Sequence, residues 1–223
     1  MIEPRPPLMV HPPLQGLYLI LDPAVCPSRS LVDVLKEAAE HGVRLFQYRD
    51  KHSTMREAYR LGGELRRAAA DAGALFIVND RCDLALALDA EGVHVGQTDM
   101  PLTEARALMG REKIVGISTH TPEQVAAAVQ GKPDYVAYGP VFSTSTKSDH
   151  EAVVGIHGLR EIRSLTSMPL FAIGGISVER VIEVARTGVD GVAVISAVLQ
   201  APGIGRAVDE FMARFGKSTL PAS

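Results

Sequence analysis

Cysteine is scarce in this sequence, and the spacing of the two cysteines excludes a cysteine-based metal site. Only Cys26 and Cys82 occur among the 223 residues, and they lie too far apart to form a paired metal-binding motif. A secreted disulfide framework normally has several cysteines in a short chain. We therefore expect a reduced protein of the cytoplasm.

Long apolar runs and an excess of positive charge are also missing. No stretch is long enough to cross a bilayer, and the N-terminal MIEPRPPLMVHPP has only the short run LMV, unlike a signal peptide. Lys and Arg number 23 against 26 Asp and Glu, which gives a net charge of −3. Without a global positive field, we expect no binding of nucleic acid or of an anionic membrane. An anionic ligand would have to be held by a local arrangement of residues.

What the sequence does contain is a regular alternation of short apolar runs and longer helical patterns. The runs predict strands at 16–22, 43–49, 74–80, 92–97, 113–118, 134–142, 169–175 and 190–196. Apolar strands that alternate with helices are typical of a parallel sheet covered by helices. Eight such units predict an α/β fold, a closed (β/α)8 TIM barrel. We assign it as a single domain over 15–216, between a Pro-rich N-terminal arm (1–14) and a C-terminal tail (217–223).

An open, doubly wound sheet is the alternative architecture. Such sheets usually have fewer strands and a Gly-rich turn after the first strand. Here the first strand is followed by LDPAVCPSRS, which contains no glycine. The closed barrel is therefore favoured.

Three of the helical patterns have recognisable ends. The first, SLVDVLKEAAEHG, has one apolar face and is predicted to stop at Gly42. A second is predicted to begin with Thr121 as N-cap and Pro122 at the first helical position. A third is predicted to have Ser177 as N-cap and Gly188 as its stop.

Polar residues interrupt the apolar pattern at the end of the second strand. With a period of two, Gln47, Arg49 and Lys51 share a face with the apolar residues that precede them. In a TIM barrel the functional residues lie at the C-terminal ends of the strands. We expect Gln47 and Arg49 at the barrel mouth and Lys51 just above it. The alternative is an ordinary exposed strand end.

The third and fourth strands each end near an aspartate. Asn79 and Asp80 end the third strand, and Asp99 follows the fourth in the motif GQTD. Two carboxylates on neighbouring strands would repel each other, and Mg²⁺ is often bound by one or two carboxylates together with substrate phosphates. These residues predict a Mg²⁺ site. The alternative is that each aspartate is a helix N-cap.

The ends of the last two strands indicate a phosphate site. Gly174 and Gly175 allow close approach of backbone amides, and Ser196 opens a short helical piece after the eighth strand. In many barrels a phosphate binds at this position. A tight turn is the alternative explanation for the two glycines.

The loop after the sixth strand, GPVFSTSTKSDH, places four hydroxyl residues (143–146) before Lys147. It is long for such a connection, and its composition suits an anion. Together with the strand ends described above, it predicts two separate anion sites at the mouth. Two phosphorylated substrates would explain them, as would one substrate with both ends charged.

In combination, these motifs resemble the thiamine phosphate synthase family. The resemblance extends from Gly16 to about Phe215. It depends on the joint occurrence, in order and at strand ends, of QYRDK (47–51), ND (79–80), GQTD (96–99), GIST (116–119), GPVFSTSTK (139–147), GGI (174–176) and IS (195–196).

The resemblance implies an enzyme that transfers a pyrimidine methyl group in thiamine biosynthesis. The group would come from 4-amino-2-methyl-5-hydroxymethylpyrimidine diphosphate and would join a thiazole ethyl phosphate, with or without a carboxyl group. The products would be thiamine phosphate and diphosphate, formed by a dissociative, Mg²⁺-assisted substitution. Such a reaction requires no nucleophilic side chain, and the motifs contain no serine–histidine or cysteine–histidine pair.

The resemblance also implies roles for individual residues. The pyrimidine diphosphate would be bound by Gln47, Tyr48, Arg49, Asp50, Lys51, Asn79, Ser118 and Lys147, among which Arg49, Ser118 and Lys147 would take part in catalysis. The thiazole phosphate would be bound by Thr144, Ser145, Thr146, Gly174, Gly175, Ile195 and Ser196. The Mg²⁺ ligands would be Asp80 and Asp99.

Two alternative functions remain at this level. A thiazole tautomerase of the same barrel family would move a proton, and His120 could carry it. A non-catalytic binder of thiamine precursors is the other. The complete set of basic residues and aspartates argues against both, because neither would release diphosphate. His94, within the fourth strand, is expected to be a packed core histidine, and a homo-oligomer is compatible with the sequence.

Overall fold

The predicted (β/α)8 barrel is confirmed by the computed structural model, which describes residues 13–144 and 152–218. Its strands are β1 (Gly16–Leu21), β2 (Leu45–Tyr48), β3 (Leu75–Asn79), β4 (Gly92–Val95), β5 (Ile114–Thr119), β6 (Tyr135–Tyr138), β7 (Leu170–Ile173) and β8 (Gly191–Val194). Each strand pairs in parallel with the next, and β8 pairs with β1 to close the barrel. All eight predicted strands are present, most of them shorter than the apolar runs.

Helices surround the strands in the described part of the chain. They are α1 (Leu31–Glu40), α2 (Met55–Asp71), α3 (Cys82–Ala87), α4 (Leu102–Met109), α5 (Pro122–Gly131), α6 (Gly155–Leu165), α7 (Val181–Ala185), α8 (Ser196–Leu199) and α9 (Ile204–Ser218). Across residues 13–144 and 152–218, none of these helices has the length and apolar character needed to cross a bilayer.

For two of the three helical patterns, the predicted start or stop agrees with the structure. The apolar face of α1 is buried, and Gly42 follows the helix with φ +100°. At α5, the Thr121 hydroxyl accepts the N–H of Gln124, and Pro122 is the first helical residue. Both ends follow from local chemistry: a hydroxyl satisfies a free N–H group at the start, and glycine tolerates a positive φ at the end.

The predicted N-cap Ser177 is wrong, because α7 begins only at Val181. The backbone carbonyl of Ser177 accepts the N–H groups of Arg180 and Val181 at 3.1 and 3.0 Å, so a turn precedes the helix. The Ser177 hydroxyl donates to the Glu179 carboxylate at 2.6 Å. Gly188 follows α7 with φ +84°, as predicted for a stop.

Aromatic rings fill the barrel interior where glycines leave room for them. A Cβ atom on Gly116 of β5 would lie 2.1 Å from the ring of Tyr135, and one on Gly191 of β8 would lie 2.3 Å from the ring of Phe171. The rings of Tyr135, Phe171 and Tyr18 are buried and meet edge to face with centroids 5.4 to 5.8 Å apart. The barrel is therefore a packed core, and a ligand must bind at one of its ends.

Candidate active site

A cavity of about 660 Å³ lies at the C-terminal ends of the strands, within the usual range for small-molecule sites. Most of the predicted site residues line it. They are Arg49, Lys51, Asn79, Asp80, Asp99, Ser118, Thr144, Gly174, Gly175, Ile195 and Ser196. Residues that are distant in sequence are thus brought to one opening of the barrel.

Three predicted site residues, Gln47, Tyr48 and Asp50, do not line the cavity. Gln47 is 2% exposed, lies below the mouth, and donates from Nε2 to the Tyr18 hydroxyl at 2.8 Å. The Tyr48 ring stacks on Phe76, and the Tyr48 hydroxyl donates to Asp50 at 2.8 Å. Tyr48 takes the outer face of β2 because side chains alternate along a strand.

Asp50 organises the loop after β2. Its carboxylate accepts the N–H groups of His52 and Ser53 at 3.1 and 3.0 Å, together with the Tyr48 hydroxyl. The pKa of Asp50 is lowered, because these hydrogen bonds outweigh the effect of burial. Asp50 therefore fixes the loop that carries Lys51. The predicted Ser145, Thr146 and Lys147 lie outside the described residues.

Asp80 and Asp99 are positioned towards each other at the mouth. Asp80 has φ 62°, a left-handed conformation that is uncommon for residues other than glycine but tolerated by aspartate. Its carboxylate forms an ion pair with Lys51. Asp99 accepts the N–H of Gly96 at 2.7 Å. The N-cap positions of α3 and α4 are occupied by Arg81 and Pro101 without side-chain caps, so the helix-cap alternative for the two aspartates is wrong.

The electrostatics of this pair suit a divalent cation. Burial raises the pKa of Asp80, and the adjacent Asp99 carboxyl raises it further. The pKa of Asp99 is lowered, because hydrogen bonds from the Asp80 carboxyl and the Gly96 N–H outweigh the effect of burial. Ionisation of one carboxyl group therefore disfavours ionisation of the other, and a divalent cation bound by both would remove this cost.

The donor set fits Mg²⁺ better than a transition metal. Both side chains supply hard carboxylate oxygens, the ligands that Mg²⁺ prefers. Within residues 13–144 and 152–218, no group of three or more His, Cys, Asp or Glu forms a closed metal cage. The remaining ligands would have to be water and substrate oxygens, which is how Mg²⁺ is usually bound beside phosphates.

Arg49 is held in place by a residue that the sequence motifs did not reveal. Asp22, which follows β1 and is 2% exposed, forms an ion pair with the Arg49 guanidinium. Its other carboxylate oxygen accepts the N–H of Ala24 at 2.9 Å. Asp22 could have been predicted from the sequence, because it is a polar residue directly after the apolar run GLYLIL. The other predicted site residues occupy equivalent positions at the ends of their strands.

Further residues of the lining were not predicted as site residues. Gln97 donates from Nε2 to the backbone carbonyl of Ser118 at 2.6 Å, and His120 donates from Nδ1 to the carbonyl of Gly139 at 2.6 Å. His94 is 5% exposed and stacks on Tyr135, as expected for a core histidine, yet it also forms part of the cavity floor.

Gly174 and Gly175 allow the loop after β6 to pack against the end of β7. Their φ angles are +99° and +62°. A Cβ atom on Gly174 would lie 2.5 Å from Cβ of Pro140, and one on Gly175 would lie 2.6 Å from the carbonyl oxygen of Ser143. The glycines thus have a packing role, and any side chain there would displace the cavity wall.

Comparison with known proteins gives a consistent result. A family model described as thiamine monophosphate synthase matches residues 17–198. The chain is 42% identical over 196 residues to the thiamine-phosphate synthase of Methanospirillum hungatei, covering 88% of this chain and 95% of that protein. It is 43% identical over 197 residues to that of Chloroflexus aurantiacus, with 88% and 91% covered.

A solved structure agrees with these sequence relatives. The thiamine phosphate pyrophosphorylase from Pyrococcus furiosus superposes with a TM-score of 0.85 at 37% identity. The superposition covers 93% of this chain and 98% of that one.

Proposed function

Since the chain belongs to the thiamine monophosphate synthase family, we propose that its cavity binds a hydroxymethylpyrimidine diphosphate next to a thiazole phosphate and joins them. The chain is a transferase of thiamine biosynthesis, the function that its relatives share by name. The thiazole tautomerase and the non-catalytic binder are not favoured, because these relatives are all named as the synthase or pyrophosphorylase.

The observation that carries the proposal is that one cavity has two walls of different chemical character. The wall formed by the ends of β2, β3 and β4 has two cations, Arg49 and Lys51, and the carboxylate pair. The wall formed by the ends of β7 and β8 has the glycine backbone and Ser196. The first suits a diphosphate with Mg²⁺, and the second suits a single phosphate.

The proposed reaction is a dissociative substitution. The bond between the pyrimidine methylene carbon and the diphosphate oxygen breaks, and the electron pair leaves with the diphosphate. The aminopyrimidine stabilises the positive methylene carbon, and the lone pair of the thiazole nitrogen then forms the new carbon–nitrogen bond. That nitrogen is neutral before attack, so no side chain has to remove a proton.

The tasks of the protein are to position both substrates and to stabilise the negative charge that grows on the diphosphate. When bound by Asp80 and Asp99, Mg²⁺ would supply charge neutralisation at the diphosphate. Arg49, oriented by Asp22, and Lys51 provide fixed cations at the same wall. Asn79 and Ser118 line the cavity as neutral hydrogen-bonding groups.

The remaining aspects of the proposal concern partners and location. The partners are the two phosphorylated substrates, and the location is the cytoplasm. The location is supported by Cys26 and Cys82, which are both buried and unbridged, since free thiols are typical of a reducing compartment.

A direct assay tests the proposal. We expect the purified chain, incubated with both phosphorylated substrates and Mg²⁺, to form thiamine phosphate and diphosphate in equal amounts. Product can be followed by oxidation to the fluorescent thiochrome phosphate, and diphosphate by a coupled enzyme assay. A folded sample that forms neither product would contradict the proposal.

Replacement of Ser196 tests the assignment of the thiazole phosphate to the β7–β8 wall. Loss of one hydrogen bond to a charged group costs about 1.5 kcal/mol, roughly tenfold in binding. We expect Ser196→Ala to raise KM for the thiazole phosphate about tenfold and to leave KM for the pyrimidine diphosphate near the parent value. Ser164→Ala, on the exposed face of α6, is the control. Equal changes in both KM values would mean that the two walls are wrongly assigned.

A further inference from the structure

A continuous chain of hydrogen bonds crosses the barrel interior below the cavity. Gln47 Nε2 donates to the Tyr18 hydroxyl at 2.8 Å, and the hydroxyls of Tyr18 and Tyr135 are 2.8 Å apart. Tyr135 lies 2.9 Å from His94 Nδ1, and His94 Nε2 lies 2.8 Å from the Ser118 hydroxyl. The chain thus links β2, β1, β6, β4 and β5 and ends at the cavity lining. We refer to these five residues as the buried relay.

The hydrogen bond between Gln47 and Tyr18 determines which group is the donor in each further hydrogen bond of the buried relay. Gln47 supplies a hydrogen to Tyr18, so the single hydrogen of Tyr18 is available for another group. Among the described residues, the Tyr135 oxygen is its hydrogen-bonding partner. Burial raises the pKa of both tyrosines above the ordinary value, so each keeps one proton. Tyr18 therefore donates to Tyr135, and Tyr135 in turn donates to His94 Nδ1.

This direction selects one tautomer of His94. A nitrogen that accepts a hydrogen bond carries no proton, so the imidazole proton of neutral His94 lies on Nε2. That proton is donated to the Ser118 oxygen. The Ser118 hydroxyl hydrogen must then point away from His94, and in the described part of the chain no acceptor is recorded for it. Ser118 lines the cavity, where an acceptor can reach it.

We propose that His94 is a positioning residue that acts through Ser118: the buried relay fixes the Nε2–H tautomer and so makes the Ser118 hydroxyl a hydrogen-bond donor to the bound anion. If donor and acceptor were exchanged in every hydrogen bond of the relay, Ser118 would donate to His94 and present its lone pairs to the anion. Only the first direction stabilises a negatively charged ligand. The identity of this ligand as the pyrimidine diphosphate rests on the proposed function, whereas the tautomer does not.

The tautomer can be measured in the substrate-free protein. Two-bond ¹H–¹⁵N correlation spectra of histidine-labelled protein distinguish the protonated from the unprotonated ring nitrogen. The chain has seven histidines, and the signal missing from a His94→Gln sample assigns His94. We expect a neutral ring with Nε2 protonated. A Nδ1-protonated or a doubly protonated ring would overturn the proposal, whatever reaction the protein catalyses.

Gln47→Glu tests whether Gln47 sets the direction. A carboxylate can only accept, so Tyr18 would donate to it, Tyr135 to Tyr18, and His94 Nδ1–H to Tyr135. We expect the proton of His94 to move to Nδ1 in this variant. If infrared spectroscopy shows the introduced carboxylate to be ionised, an unchanged Nε2–H tautomer in folded Gln47→Glu would refute the role of Gln47. Gln47→Leu, which removes the donor without supplying an acceptor, is expected to give a mixture of both tautomers.

A double-mutant cycle tests whether His94 acts through Ser118. We expect Ser118→Ala and His94→Phe each to lower kcat/KM for the pyrimidine diphosphate about tenfold, the effect of one hydrogen bond to a charged group. The double variant should be no slower than Ser118→Ala alone, because residues in one network are not additive. His94→Gln, whose amide can donate at the Nε2 position, should retain more activity than His94→Phe. Additive losses, or equal losses in His94→Gln and His94→Phe, would overturn the positioning role.

Discussion

Asp99→Asn is expected to lower turnover at least a hundredfold and to leave the protein folded. The asparagine oxygen can still accept the Gly96 N–H that Asp99 accepts at 2.7 Å, so the loop after β4 keeps its hydrogen bond. What is lost is one of two carboxylates that would hold Mg²⁺ against the diphosphate. Removing a comparable stabilising contact to a developing charge typically costs about 3 kcal/mol, a hundredfold or more in rate.

The melting temperature gives an independent measure of the same site. A ligand that binds only the folded state stabilises it, so Mg²⁺ should raise the melting temperature of the parent protein. It should not do so for Asp99→Asn. Without Mg²⁺ the variant should melt no lower than the parent, because one of two mutually repelling, partly buried carboxylates has been removed. Asp83→Asn is the control, because Asp83 is an exposed carboxylate on α3 that pairs with Arg81.

Chelation completes this test. Thiamine phosphate formation should stop in excess chelator and return when Mg²⁺ is added. Full activity of the parent in chelator, or an Asp99→Asn variant as active as Asp83→Asn, would show that the carboxylate pair has no metal-binding role.

Lys147→Ala is expected to lower kcat about a hundredfold, with a smaller change in KM. Lys147 itself lies outside the described residues, but both ends of its loop are fixed at the cavity. Thr144 lines the cavity, and the N–H of Val154 donates to the carbonyl of Pro140 at 2.9 Å. The diphosphate gains negative charge as its bond to carbon breaks, so a cation supplied by this loop would stabilise the transition state more than the bound substrate.

Two variants make the test specific to the charge. Lys147→Arg keeps the cation and should recover part of the lost rate, although the guanidinium is larger and differently hydrated than the ammonium. Lys36→Ala removes an exposed lysine from α1 on the outside of the barrel, and we expect its rate to stay within about twofold of the parent, since exposed charges contribute little. A Lys147→Ala protein that turns over as fast as Lys36→Ala would exclude a catalytic role for Lys147.

Much of the fold and of the cavity lining was predictable from the sequence, because the signals are local. Apolar runs of strand length alternate with helical patterns, and a barrel places the C-terminal ends of all its strands at one opening. The polar residues that interrupt those runs, such as Arg49, Asp80 and Ser118, therefore meet at the mouth. Local signals fail where tertiary contacts compete with them. Ser177 has the residue type of an N-cap, but its carbonyl and hydroxyl are used in the turn before α7.

The tertiary structure decided how deep each side chain lies inside the barrel and which residues it contacts there. The period of two correctly places Gln47 and Arg49 on one face of β2, but the height of each residue depends on the tilt and stagger of the closed sheet. That geometry leaves Arg49 at the mouth beside Asp22 and places Gln47 below it, against Tyr18. Tyr18 meets Tyr135 although 117 positions separate them. No sequence pattern predicts such a contact, because it exists only once the barrel has closed and brought the side chains of non-neighbouring strands together in its interior.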